Sequence, residues 1–262
     1  MEKFNGFMFI LAFSFTFFIL LSIFYLFSAL SYGPLIFEYL FSQQVILALW
    51  VSISSSTVVM LISIVFGIPT AWMLANKDFK HKTILETLIV DVPHSFPPGV
   101  VGTTYLLMFQ PTSPIGALFE NLGIHIINSF WAMVLVKTFI SAPFLVGIVT
   151  MKFRELRKSE LETIAKSLGA SDFKSFYSIT LPLSRSAIVG GSARCWARAL
   201  GEIAGTIVFA GAIIPGITQT MPAIIVFEAQ TSLPAALTLA LILATISISI
   251  LIVFKLILER KR

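Results

Sequence analysis

The chain has 262 residues, of which 57% are hydrophobic and 12% charged, with a mean hydropathy of +0.94. That balance excludes a water-soluble globular domain and makes the chain a polytopic membrane protein. The formal net charge of +5 does not call for nucleic acid, because the bases sit beside apolar runs; the lone Cys195, read as a packing residue, excludes an intrachain disulfide and a cysteine metal cluster.

Six stretches are long enough to cross roughly 30 Å of hydrocarbon, which takes about 20 helical residues. The expected fold class is therefore all-α, with six transmembrane helices near 7–30, 45–75, 84–108, 128–150, 187–211 and 233–258. Residues 1–30 form an N-terminal membrane helix that is too long for a signal-peptide core and has no Ala-x-Ala cleavage site, so it is expected to stay as an anchor. Residues 45–258 form a core of the other five. An even count puts both termini on one side. Lys3, the group Lys77, Lys80 and Lys82, the cluster from Lys152 to Arg185, and the tail Lys255, Arg260, Lys261 and Arg262 fall on alternate connections, whereas 31–44, 109–127 and 212–232 contain no Lys or Arg. By the positive-inside rule the termini are cytoplasmic.

The third span is irregular, because Pro93, Pro97, Pro98, Gly99 and Gly102 interrupt its apolar run. Each proline removes a backbone donor, and a break in lipid must be buried in protein or face a wet cavity. Pro97 and Pro98 are thus candidates for the translocation path. Asp91 and His94, three residues apart, either pair and line that path or satisfy freed backbone groups. Outside, Ser113-Pro114 opens a short amphipathic helix that Gly123 stops, and Met221-Pro222 opens another. Their acids, Glu120 and Glu228, would not attract a free anion, which favours delivery by a docked protein. Lys137 falls near mid-bilayer in the fourth span, where it faces the pore or meets an acid.

Residues 151–186 form the longest polar connection, and its Glu162–Pro182 part reads as two short helices. Ser159 is expected to cap the first, with Glu162 returning a bond to the cap amide. Leu161, Ile164, Ala165 and Leu168 share a face, Gly169 suits a left-handed stop, Ser171 with Asp172 starts the second helix and Pro182 ends it. The spacing of Ala165, Gly169, Ile179, Leu181 and Pro182 resembles the EAA loop of ATP-binding-cassette (ABC) importer permeases. The acid sits one position early, at Glu162, with Thr163 and Ile164 in the places of the first two family letters. In that family the loop docks on a separate ATPase. The resemblance therefore implies a coupling role for Glu162, Ala165, Leu168, Gly169, Ala170, Ser171 and Phe173.

In the fifth span Ala193, Ala197, Gly201 and Gly205 recur every four residues as a smooth strip, beside Arg194, Arg198 and Glu202 with the same period. Arg198 and Glu202 are the expected internal pair and path candidates; the alternative for the two arginines is to snorkel to the cytoplasm. Ala197, Arg198, Leu200, Gly201, Glu202, Phe209, Ile214, Pro215, Gly216 and Pro222, with the PPGVVG of the third span and the SPIGALFENLGI after it, resemble molybdate/tungstate permeases and slightly less the sulfate/thiosulfate permeases. That resemblance covers roughly residues 45–255. It implies a type I ABC importer permease that works as a homodimer by alternating access. It also implies two cytoplasmic ABC ATPase subunits and an extracytoplasmic substrate-binding protein. No Gly-x-x-x-x-Gly-Lys-Ser/Thr stretch occurs, so ATP and Mg are expected on the partner ATPase and no cofactor on this chain. The chain is not expected to be an enzyme: His81, His94 and His125 are scattered over different segments, with no HExxH. An ion-coupled secondary transporter could use Asp91, Lys137 and Glu202 as a relay, but no internal repeat supports it.

Overall fold

The computed structural model describes residues 2–259, with side chains described for 7–256; Met1, the side chain of Lys3, and Arg260, Lys261 and Arg262 lie outside them. In chain order the helices are α1 (Glu2–Leu26), α2 (Gly33–Leu40), α3 (Gln43–Asn76), α4 (Lys82–Glu86), α5 (Val92–Ser95), α6 (Pro98–Phe109), α7 (Pro114–Asn121) and α8 (Phe130–Lys158). They continue as α9 (Leu161–Ser167), α10 (Asp172–Ser175), α11 (Leu181–Leu183), α12 (Arg185–Leu200), α13 (Ala204–Ala210), α14 (Met221–Glu228) and α15 (Leu233–Glu259). Among the described residues the structure is all-helical. Four stretches, Phe7–Leu40, Gln43–Asn76, Phe130–Lys158 and Leu233–Leu256, are each long and apolar enough to cross a membrane.

Small residues set the core. Ser52, Ser55, Ser56, Val59, Ser63, Gly67, Ala71 and Leu74 form a buried stripe on α3 at helical spacing, so α8 and α12 approach closely. A Cβ on Gly67 would stand 2.9 Å from the Leu145 side chain, and one on Gly191 would stand 3.3 Å from the Leu145 Cα. Cys195 packs in this core, its Sγ 3.4 Å from Ser63 Oγ, and Trp196 Nε1 donates to Thr57 Oγ1 at 3.3 Å. Ser42 and Ser129 cap α3 and α8, accepting from Val45 N and Ala132 N. A second layer places α14 against α15 and α3, fixed where Met221 N donates to Ser52 Oγ at 2.8 Å. By contrast α1 presents Phe9, Phe13, Phe18 and Phe24 to the outside, the surface expected of a helix that faces lipid.

Two expected spans are interrupted. The third is built from α4, a π turn over Thr87–Asp91, α5, an extended Phe96-Pro97 and then α6. The fifth stops at Leu200 and resumes at Ala204, so the four-residue strip does not continue to Gly205: Ala193, Ala197 and Gly201 lie on α12 or at its end, and Gly205 on a separate helix. The cause is local. Glu202 Oε1 accepts from Gly205 N at 2.9 Å, which satisfies a free donor of the first turn of α13. Each π turn precedes a proline by two positions: Thr87–Asp91 before Pro93 and Phe176–Thr180 before Pro182. The wider turn lets the carbonyl four residues back swing clear of the proline ring. Pro182 therefore opens α11 rather than ending the helix before it.

Candidate functional site

The polar connection folds as an elbow. α8 runs on to Lys158, and Ser159 closes it: its hydroxyl donates to Leu156 O at 2.6 Å instead of capping α9. Glu160 takes a left-handed conformation, φ 57°, to start α9. Glu162 turns inward to accept from Thr180 Oγ1 and so joins α9 to the second π turn, not to a cap amide. Gly169, at φ +90°, stops α9 in the left-handed region, and Ala170 N donates to Ala165 O at 3.0 Å. Ser171 Oγ then accepts from Lys174 N at 3.2 Å and begins α10.

Charge closes the bend from outside. Lys166 Nζ stands 2.8 Å from Asp172 Oδ1; that bond pushes the lysine pKa up and the aspartate pKa down. The elbow rests on the ends of α3 and α8 through Phe176, whose ring meets Trp72 and Phe153 edge-on. A cleft of about 150 Å³ remains between elbow and bundle, lined by Trp72, Lys77, Arg157, Glu162, Lys166 and Asp172. Beside it Arg157 Nη2 holds Asp78 Oδ2 at 2.6 Å, and Arg154 pairs with Glu86. Large apolar side chains also stand open on this elbow: Leu168 is 84% and Phe173 77% exposed, with Tyr177 stacked on Phe173.

The two interrupted helical stretches meet. A Cβ on Gly102 would lie 2.6 Å from Gly205 O, and one on Gly205 would lie 2.8 Å from Pro98 O and 3.4 Å from Glu202 Oε1. Pro97 is exposed and Pro98 half-buried. Arg198 Nη1 donates to Glu202 Oε2 at 3.0 Å; the Arg198 side chain is 32% exposed and that of Glu202 2%. Lys137 is fully buried between α8 and α3, where Nζ donates to Ser55 Oγ at 2.8 Å. It is not open to the surface of the chain. No ion pair joins Asp91 to His94; the His94 ring packs edge-on against Phe144 at 4.4 Å.

Three features escape the sequence reading. The serine run Ser54-Ser55-Ser56 in an apolar helix signals a polar partner, yet not which one. Thr180 as the donor to Glu162 has no signal beyond its place near Leu181-Pro182. The Gly102–Gly205 contact joins residues of different spans, so only the glycines themselves hint at it.

The family described as binding-protein-dependent transport system inner membrane component matches residues 61–262. A molybdate/tungstate transport system permease protein (WtpB) from Pyrococcus furiosus is 32% identical over 211 residues, covering 80% of this chain and 77% of that one. A molybdenum transport system permease protein (ModB) from Mycobacterium bovis is 34% identical, covering 76% and 75%. The sulfate transport system permease protein CysW from Escherichia coli (strain K12) is 33% identical, covering 67% and 59%. Among solved structures, a bacterial ABC transporter involved in import of the acidic polysaccharide alginate superimposes with a TM-score of 0.65 at 15% identity, covering 87% and 83%. The same fold recurs, at a TM-score of 0.59, in an alginate ABC transporter in complex with an alginate pentasaccharide-bound periplasmic protein. Given an all-helical fold shared with ABC importers and a family match over most of its length, this chain belongs to the binding-protein-dependent transport system inner membrane components, as a multi-pass permease subunit of an ABC importer and not an enzyme.

Proposed function

We propose that the chain forms half of a homodimeric pore that imports a tetrahedral oxyanion, molybdate or tungstate, by alternating access. Two copies of a cytoplasmic ATPase would drive it and an extracytoplasmic binding protein would feed it. The ATPase would hold ATP and Mg; this chain would hold no cofactor. The N-terminal helix, residues 1–30, would be an anchor, and 45–258 the permease core, with six crossings and both termini cytoplasmic.

One observation carries the coupling part. Leu168 and Phe173 stand almost fully exposed on a turn whose geometry Gly169, Ser171 and the Lys166–Asp172 pair fix rigidly. Apolar side chains so held need a cover, and a separate protein provides one. Glu162 and Ala165 then brace the turn from within, while Ala170 closes it. A pull on the elbow reaches the bundle through Phe176, so closure of the ATPase pair rotates α3 and α8. Pro97, Pro98, Arg198 and Glu202 lie about the junction of the interrupted stretches, where backbone leaves helical form beside charge, and would line the path.

The substrate rests on the relatives named for molybdate, tungstate and molybdenum. The sulfate permease at 33% identity favours sulfate as the second reading. The test is uptake of labelled molybdate into proteoliposomes holding the permease, its ATPase and its binding protein, with tungstate and sulfate as competitors. Competition by tungstate and not by sulfate is expected. Preferential sulfate uptake selects the second reading, and uptake without the ATPase overturns the ATP-driven one.

A further inference from the structure

Around the α12–α13 break the chain sets two cations against one carboxylate. Glu202 is satisfied by Arg198 at 3.0 Å and by Gly205 N at 2.9 Å. Lys137, 0% exposed, spends one of its three N–H donors on Ser55 Oγ, and the Glu202 charge acts on it through space. Helix α8 presses against the break: a Cβ on Gly205 would stand 3.2 Å from Val136 Cγ1, next in sequence to Lys137, and 3.4 Å from Glu202 Oε1. A serine hydroxyl offers a buried ammonium one hydrogen bond and no opposite charge. The helix packed against the Glu202 break thus carries a second, buried cation that, among the described residues, has no carboxylate bonded to it. Arg198 is placed differently. Its side chain is 32% exposed, it lies one turn from the exposed Arg194 and Gly201, and it spends one of five N–H donors on Glu202.

We propose that Lys137 is a positioning residue: Glu202 holds Arg198 while the path is empty and shifts to Lys137 when an oxyanion takes the Arg198 guanidinium. This rests on the oxyanion-import reading above and names the side chain that receives the cargo. Lys137, Arg198 and Glu202 together leave one net positive charge per chain, with the exposed Arg194 outside that count. A homodimer would bring two, which match a tetrahedral dianion. An arginine with no internal partner would grip such an anion and release it slowly; Glu202 returning to Arg198 displaces it. Lys137 never meets the cargo, since no part of it reaches the surface.

The test is molybdate uptake by proteoliposomes containing the complete importer. In Lys137→Met, Glu202 has no alternative cation, so Arg198 stays locked. The KM for transport is expected to rise about tenfold, with kcat changed less, because leaving a buried carboxylate unpaired is costly. In Lys137→Met/Glu202→Gln the lock is gone, and KM is expected to fall from that of Lys137→Met to within about twofold of that of Glu202→Gln alone. A lysine that only fills space would give no such recovery. Glu202→Gln alone, whose amide oxygen still accepts from Gly205 N, is expected to lower KM, and it decides the matter if Lys137→Met fails to insert. An unchanged KM in Lys137→Met, no recovery in the double variant, or a KM that does not fall in Glu202→Gln overturns the inference while import stands. Wild-type importer that takes up neither molybdate nor sulfate overturns both.

Discussion

Gly205 rests on the main-chain carbonyl of Pro98: a Cβ added to Gly205 would stand 2.8 Å from that oxygen, nearer than packed atoms come. The oxygen is backbone, held by a proline-rich turn, and cannot yield as a side-chain tip can. Gly205→Ala should therefore push α13 off α6 and cost about 1–3 kcal/mol, the usual range for overpacking. Because α13 begins at the bond from Gly205 N to Glu202, the same shift should disturb the Arg198–Glu202 pair. Thermal unfolding in detergent should show a lower midpoint for Gly205→Ala, while Gly99→Ala, where a Cβ meets nothing within 4 Å, should melt near wild type.

Gly169 offers the opposite case. A Cβ there meets nothing within 4 Å, so any penalty comes from the backbone at φ +90° alone. Gly169→Val should cost about 1–2 kcal/mol locally by disfavouring the left-handed turn, and should re-aim Leu168 and Phe173. Insertion should be normal. ATP hydrolysis by the assembled importer should no longer track uptake, whereas Gly169→Asn, which tolerates left-handed backbone better, should retain most coupling. Coupled uptake at the wild-type rate in Gly169→Val would remove the turn from the coupling route.

The sequence makes the elbow and the caps legible because their chemistry is local. Ser113 and Ser171 each accept a bond from an amide three residues on, and Gly169 takes a left-handed turn that few other residues tolerate. What escapes it depends on distant partners. The four-residue strip in the fifth span is a valid helical pattern until Glu202 takes Gly205 N and restarts the helix, so periodicity runs across a break it cannot register. Lys137 is visible as an intramembrane base, but its partner Ser55 lies 82 residues away, on another helix. Ser159 fails as a cap because α8 extends to Lys158 and consumes it as a terminator, a boundary error that hydropathy invites where an apolar helix ends in a charged turn.

Acid should loosen the clamp between α3 and α8. Bonds from Arg157 and then Lys82 hold the Asp78 carboxyl down to about 2, from 3.8. Its folded value lies below its unfolded one, so its stabilising contribution is complete above the unfolded value of 3.8 and is lost as pH falls through about 2. The pair is exposed and screened by salt, so the effect should shrink at high ionic strength. Thermal midpoints of wild type and Asp78→Asn should differ by a constant gap from about pH 7 to 5, then converge between 3.8 and about 2. A gap that persists at the acid end would show that Asp78 acts through packing and not through charge.

Leu168 and Phe173 separate docking from folding. At 84% and 77% exposure they contribute little to the stability of the isolated permease, so truncating both should leave its unfolding midpoint unchanged. An apolar side chain at the centre of a protein interface carries a large share of the binding energy, and losing the pair should cost about 2 kcal/mol, or roughly 30-fold in affinity for the ATPase. Phe176 is the control. Its ring packs on Trp72 and Phe153, so Phe176→Ala should lower the midpoint first and affinity only as a consequence. Titrating purified ATPase against permease in detergent or nanodiscs measures both variants on one scale. If Leu168→Ala/Phe173→Ala binds the ATPase as wild type does, the exposed apolar tip of the elbow is not the docking surface.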